Sequence, residues 1–399
     1  MASASDTRPL AAQVTRFLKR RARWSPLEIA FWLVAFASIL FPSYFFPAKH
    51  LILTEICIWA MFALSLDLIL GYAGIISLGH AAFFGFGAFA AGLAAKYGYV
   101  QEPAIALVVA GLLAAALGFA TSFLVLRGSD LTRLMVTFGI ALVLSEIANK
   151  FSDITGGADG LQGVEIKPLF GRFAFDLYGD VGYNYALIVL FIMFVVARRV
   201  VRSPFGLSLQ AIKGNALRSS AVGIAVNWRL VAIYTLAAGY AGLAGAMLAQ
   251  TQAFASLEMF SIDRSADVLL ILIIGGTGYL YGGLIGSLIY RLAHEYLSDL
   301  SARYWQYWIG FVLIMMVLFG RVYGGILAAL LISATIWFKL DTGTSFVLAA
   351  ATLLVLGVVR EPILKWIGLR ERQVVAALRR MRGGTKRDAG AGASHAGRA

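Results

Sequence analysis

Apolar blocks about as long as a bilayer is thick recur along this chain, and that repetition constrains the fold more than any other feature. A helix rising 1.5 Å per residue needs about 20 mostly apolar residues to cross the hydrocarbon core. Residues 27–46 and 51–70 are two such blocks in close succession. Over the 399 residues, 60% are hydrophobic and 14% are charged, against about 45–50% and 25% in soluble domains. These proportions exclude a soluble enzyme, a disordered chain and a disulfide-knit secreted domain. An outer-membrane barrel is excluded too, because its strands alternate apolar and polar at every residue. The class that remains is all-α: a polytopic helical membrane protein.

Further blocks cover 81–97, 103–126, 134–150, 185–201, 230–250, 266–275, 282–297, 305–319, 322–338 and 344–359, which makes ten to twelve expected spans. The glycine-rich interruptions are what leave the count open. Residues 27–46 follow a basic stretch, as in a signal peptide. The apolar core is too long for one, however, and Phe46-Pro47-Ala48-Lys49 offers no small-x-small cleavage site. A retained first span with a cytoplasmic N-terminus is expected.

The net charge of +13 suggests nucleic acid until it is located. Residues 1–26 hold six bases and one acid, and residues 360–399 hold ten bases and three acids, so the apolar body is almost neutral. Basic tails flanking membrane spans follow the positive-inside rule and meet anionic lipid head groups; no nucleic-acid partner is expected. The same rule tests the topology. Residues 198–229 carry Arg198, Arg199, Arg202, Lys213, Arg218 and Arg229 with no acid, as a cytoplasmic loop should. Residues 152–184 carry two bases against Asp153, Asp159, Glu165, Asp176 and Asp180, as an external loop should. An even number of spans places the C-terminal tail inside as well.

The 42 glycines are clustered. Gly242 with Ala238 and Ala246, and the series Gly278, Gly282 and Gly286, have the spacing of four that lets helix backbones touch. Gly71, Gly74 and Gly79 do not keep that spacing, and Ser77 and His80 beside them are polar. This points to a broken or re-entrant helix facing protein or water, with close helix packing as the alternative. The remaining ionisable residues in apolar blocks are Glu55, Asp67, Glu146, Arg291, His294 and Glu295. Interhelical or helix-end bonds account for such residues more readily than function does. They form no chain long enough for a proton relay.

Catalytic and cofactor motifs are missing from the sequence. No phosphate loop, His-Glu-x-x-His or Gly-x-Ser-x-Gly occurs. Cys57 is the only cysteine, so neither an intrachain disulfide nor a cysteine metal site can form. The expectation is a translocator without catalytic, cofactor or metal residues, driven by an ion gradient or by another subunit. In the basic loop, Pro204 and Gly206 mark a turn. A short helix over 207–213 is expected, with Leu207, Ala211 and Ile212 along one side. A second over 216–222 should end at Gly223. Such a pair suits docking by another protein, although an ordinary basic loop also explains it.

The stretch Gly71-Tyr72-Ala73-Gly74-Ile75-Ile76-Ser77-Leu78-Gly79-His80-Ala81-Ala82-Phe83-Phe84-Gly85-Phe86-Gly87-Ala88 resembles the signature of LivM-type permease subunits of branched-chain amino-acid ABC importers. Thr155-Gly156-Gly157-Ala158-Asp159-Gly160-Leu161 resembles the external loop of that family, 203–224 its ATPase-coupling loop, and 267–286 its late glycine-rich span. Together these cover about residues 50–325, in the family's order. The resemblance implies a second related permease subunit, two ATP-binding subunits and a periplasmic substrate-binding protein as partners, in a bacterial inner membrane. It implies that Gly71, Gly74, Ser77, Gly79, His80, Gly275, Gly276 and Gly278 line or hinge the path. It gives Lys213, Asn215, Arg218 and Gly223 to ATPase coupling, and Gly156, Gly157, Asp159 and Gly160 to docking of the binding protein. One departure stands out: the family often has an acid just after the coupling-loop Asn, where this chain has Ala216 and Leu217.

The domains expected are a basic tail (1–26), a permease transmembrane domain (27–325) containing the loops 152–184 and 202–229, additional C-terminal spans (326–360) and a basic, partly disordered tail (361–399). The substrate implied is a branched-chain amino acid, or a related small solute such as urea, an amide or an aromatic acid. The alternative is a stand-alone, ion-coupled secondary carrier whose two glycine-rich interruptions are matching broken helices. A membrane scaffold is a third reading, but it needs neither broken spans nor buried polar groups.

Overall fold

The computed structural model describes residues 26–40, 50–100, 102–175, 179–300 and 305–319. Its packing divides the chain between Glu295 and Tyr296. The expected spans 322–338 and 344–359, and nearly all of both basic tails, lie outside the described residues.

The described residues of the first part are mostly helical. In chain order the helices are α1 (Pro26–Leu40), α2 (His50–Asp67), α3 (Ala81–Lys96), α4 (Pro103–Val125), α5 (Asp130–Lys150) and α6 (Asp180–Arg202). After these come the short α7 (Pro204–Gly214) and α8 (Ala216–Ala221), the long α9 (Val226–Gln252), α10 (Ile262–Gly275) and α11 (Leu280–Leu300). In the second part α12 (Trp305–Phe319) is apolar. Apart from α7 and α8, each starts within a few residues of an expected apolar block. Among the described residues five helices are long and apolar enough to cross a membrane: α2 with its continuation to Ala73, α4, α5, α6 and α9. The blocks 266–275 and 282–297, expected as separate spans, are the arms of one pair bent by 110° at a short break. Counted as a single span, that pair makes six.

Helices α2 and α9 form the core. Most of each is buried, whereas α5 is largely exposed. Along α4 the buried residues Ala106, Leu107, Ala110, Gly111, Ala114 and Gly118 share one face, and Leu112, Leu113 and Leu124 stand on the outside. A continuous apolar exterior is what a helix facing lipid requires. Helix α9 is held close to its neighbours by small residues. A side chain added at Gly242 would strike Ala114 of α4, one at Gly87 of α3 would strike the Gly242 backbone, and one at Gly245 would strike the Phe84 carbonyl. The packing reading of Gly242 is therefore what the structure contains.

Charged and polar side-chain pairs tie the helices together. Glu28 of α1 accepts from Arg198 Nη2 at 3.0 Å and from Arg202 Nη2 at 2.5 Å, both on α6. His50 of α2 pairs with Asp180 at the start of α6. Glu55 of α2 accepts from Arg291 Nε of α11 at 2.5 Å, and Tyr290 donates to Asp267 of α10 at 2.7 Å.

Candidate functional site

The first glycine-rich segment is a break in a span. Helix α2 widens at Leu68 into a π-helical turn, Leu68–Ala73, that stops at Gly74, whose φ is 75°. π-turns are uncommon and concentrate at functional sites. The widening is visible in the hydrogen bonds: the Gly74 N–H donates to Ile69 O, five residues back, and the Ile75 N–H donates to the same oxygen at 2.9 Å. An α-helix would have aimed that N–H at the carbonyl of Gly71. From Gly74 the chain runs without a helical ladder until α3 begins at Ala81.

Around the break the glycines are steric necessities. A Cβ on Gly71 would overlap the Asp67 carboxylate and lie 2.6 Å from the Gly278 nitrogen. One on Gly79 would overlap the Thr137 carbonyl of α5. Gly74 combines its left-handed φ with the Lys213 side chain 3.0 Å from where a Cβ would stand. Ser77 is buried, and its hydroxyl has no hydrogen-bond partner among the described residues. His80 is 1% exposed. Its Nε2 lies 2.9 Å from Ser65 Oγ, and the Ser65 hydroxyl donates to Phe62 O at 2.6 Å. The serine oxygen therefore accepts from His80 as an Nε2–H tautomer. The imidazole stacks on Phe62 at 5.7 Å and 6°. Next to it, the Ala81 N–H donates to Ser265 Oγ of α10 at 3.0 Å, which pins the start of α3.

The second glycine-rich segment is the elbow between α10 and α11. Gly276 (φ 106°) and Gly278 (φ 80°) have backbones that side-chain-bearing residues rarely adopt. A Cβ on Gly275 would strike the Gly282 carbonyl, and one on Gly286 would strike Ile271 O. The two arms thus pack on each other through bare backbone. Gly278 sits in the link, not on α11, so the expected Gly278–Gly282–Gly286 ridge starts only at Gly282.

The two segments meet at Asp67. This aspartate is wholly buried, and its Oδ1 accepts from the Gly278 N–H at 2.7 Å. The sequence places Asp67 among the ionisable residues that an interhelical or helix-end bond accounts for, and the fold gives it a bond of that kind, to a partner 211 positions away. A carboxylate four residues before the first glycine was the available signal.

The basic loop folds as two helices, as expected. Ser203 caps α7, accepting from the Gly206 N–H at 3.5 Å. Asn215 caps α8, accepting from the Arg218 N–H at 2.8 Å. Gly223 follows α8 with φ 89°. The buried residues of α7 include Ser208, Leu209 and Ile212; of the expected apolar side Ile212 is buried, Leu207 half-buried and Ala211 exposed, and Arg229 of α9 donates to Ser208 Oγ at 2.5 Å. Lys213 turns back toward the break, and its Nζ donates to Gly71 O at 2.7 Å. Arg218 is exposed. Beside it Leu217 is 84% exposed and Val222 78%, an apolar tip that the sequence reading did not single out.

At the opposite end, Thr155–Leu161 forms a tight loop. Thr155 Oγ1 donates to Ala148 O at 2.5 Å, and the Leu161 N–H donates to Ala255 O at 2.7 Å. Gly156, Gly157 and Gly160 all have positive φ. A Cβ on Gly156 would strike the Gly160 carbonyl, and one on Gly160 would lie 2.6 Å from Phe254. These three glycines shape the loop, whereas Asp159 is exposed on it.

Residues 50–319 match the family described as branched-chain amino acid transport system / permease component. Two similar proteins are the high-affinity branched-chain amino acid transport system permease proteins LivM of Escherichia coli (strain K12) and of Salmonella typhimurium (strain LT2). Each is 26% identical over 288 residues, covering 67% of this chain and 67% of the relative. A probable branched-chain amino acid transport permease protein LivH of Methanocaldococcus jannaschii is 24% identical over 220 residues, covering 53% of this chain and 64% of the relative. No solved structure matches the chain. The break, the elbow, the α7–α8 pair and the Thr155–Leu161 loop all fall inside the matched region.

Proposed function

The chain belongs to the branched-chain amino-acid transport system permease family, as a membrane-embedded permease subunit of an ABC importer, and we propose the following mechanism for it. It sits in a bacterial inner membrane with both termini cytoplasmic, beside a second, related permease subunit. Two ATPase subunits dock on its cytoplasmic face and hydrolyse the ATP, and a periplasmic binding protein delivers a branched-chain amino acid. The ATPases grip α7–α8 and switch the permease pair between inward- and outward-facing states. Asp159 helps to receive the binding protein. The break over Gly71, Gly74, Ser77, Gly79 and His80, with the elbow over Gly275, Gly276 and Gly278, lines and hinges the path.

The observation that carries this reading is the α7–α8 pair. It presents Leu217, Val222 and Arg218 outward in a loop that carries six bases and no acid, as a protein-docking element should. Lys213, Asn215 and Gly223 hold that element in shape.

Mild detergent purification from the native host tests the assignment. Co-elution of a phosphate-loop ATPase and a second hydrophobic permease supports it, as does ATP-driven leucine uptake after reconstitution with the binding protein. A chain that purifies alone and moves solute under an ion gradient would make it a secondary carrier.

A further inference from the structure

Two hydrogen bonds join three elements at one point. Lys213 of α7 donates to Gly71 O in the π-turn at 2.7 Å. Asp67, one helical turn earlier, accepts from the Gly278 N–H in the α10–α11 elbow at 2.7 Å. The Gly71 carbonyl is open to Lys213 because the N–H that would have satisfied it in an α-helix, that of Ile75, is bound to Ile69 O. The break thus creates the acceptor that α7 uses. Each partner of Asp67 and Lys213 is a backbone group at a glycine, so the bonds hold main chain rather than another mobile side chain. The stem of Lys213 also passes close to Gly74, which brings the ammonium to the break.

We propose that Lys213 and Asp67 are positioning residues that form a relay, Lys213–Gly71 and Asp67–Gly278, carrying displacement of the coupling helix α7 into both the break of α2 and the elbow of α10–α11. The relay rests on the ABC-permease reading and adds to it how one docked helix moves two separate glycine-rich segments together. A relay needs elements with more than one arrangement. A π-turn and a glycine elbow supply them, because neither is locked by a full α-helical ladder.

The test is uptake of radiolabelled leucine per ATP hydrolysed by the complete reconstituted complex. Lys213→Met and Asp67→Val each remove one bond, and a hydrogen bond to a charged group is worth about tenfold in an equilibrium. Each variant should lower uptake per ATP about tenfold while ATPase subunits stay bound and active. Lys213→Arg and Asp67→Asn keep a donor and an acceptor and should recover most of the loss. The double variant should be about as impaired as the worse single, because both lie on one path.

Unchanged uptake per ATP in Lys213→Met overturns the relay. So does a loss that coincides with departure of the ATPase, which would make Lys213 a docking contact only. Failure of both conservative replacements also overturns it. An unaltered complex with no ATP-driven uptake instead refutes the permease reading, and the relay with it.

Discussion

Asp67 and Gly278 stand 211 residues apart in the sequence and are joined by a 2.7 Å hydrogen bond from the Gly278 N–H to a fully buried carboxylate oxygen. The bond brings the two glycine-rich interruptions of the chain against each other. It also explains why Gly71, one turn beyond Asp67, has no side chain: the carboxylate and the Gly278 backbone occupy that space.

Gly71→Ala therefore displaces the Asp67 carboxylate or the elbow. Overpacking of this kind costs about 1–3 kcal/mol. The variant should insert, lose most of its uptake and show a lower midpoint of thermal aggregation in detergent. Gly139→Ala on α5 is the matched control, because nothing lies within 4 Å of the added Cβ. Alanine in a helix interior is favoured over glycine by about 1 kcal/mol, so the control should match or exceed the parent midpoint. Equal behaviour of the two variants would contradict the steric account.

The break and the elbow were legible as interruptions because glycine out of step with helical packing, next to Ser77 and His80, is a local signal. Their contact was not legible, since nothing local to Asp67 or Gly278 reports a partner 211 positions away. The α7–α8 helices were legible from Pro204, Gly206 and Gly223, which act through the backbone nearby. The burial of Ser208 on α7 was not, since its partner Arg229 lies 21 residues on, in α9. Glu28 illustrates the same limit: it begins an apolar block, and only the fold brings Arg198 and Arg202 to it.

That Glu28 cluster is a stability element. Glu28 and Arg198 are both nearly buried, and removing one member of a buried ion pair costs about 3–5 kcal/mol. Glu28→Gln should lower the detergent melting midpoint sharply, while Glu28→Gln/Arg198→Met should lose less than the two single effects added together. Strict additivity would mean that the carboxylate and guanidinium do not act as a unit.

Leu217 and Val222 contribute nothing to the packing of this chain, exposed as they are. Leu217→Asp should shift stability by no more than about 0.5 kcal/mol, the usual range for a surface change. On the docking reading it should nevertheless strip the ATPase subunits from the purified complex and abolish ATP-driven uptake. Retention of the ATPase at parental stoichiometry would move the docking surface away from α8.

The Thr155–Leu161 loop separates shape from contact. Gly160→Val places a β-branched side chain at φ 78°, against Phe254 and the Ala255 carbonyl. Valine pays heavily in that backbone region, so the variant should open the loop and expose a proteolytic site near residue 160. Asp159→Lys reverses an exposed charge and leaves the loop glycines in place, so protease resistance should be unchanged. Its effect should fall on the binding protein: a higher concentration should be needed for half-maximal stimulation of ATP hydrolysis, with the maximal rate preserved. The shift should shrink as salt is raised, because exposed charges are screened over about 8 Å at physiological ionic strength. An unchanged half-maximal concentration at low salt would remove Asp159 from the docking surface and leave the loop with a structural role alone.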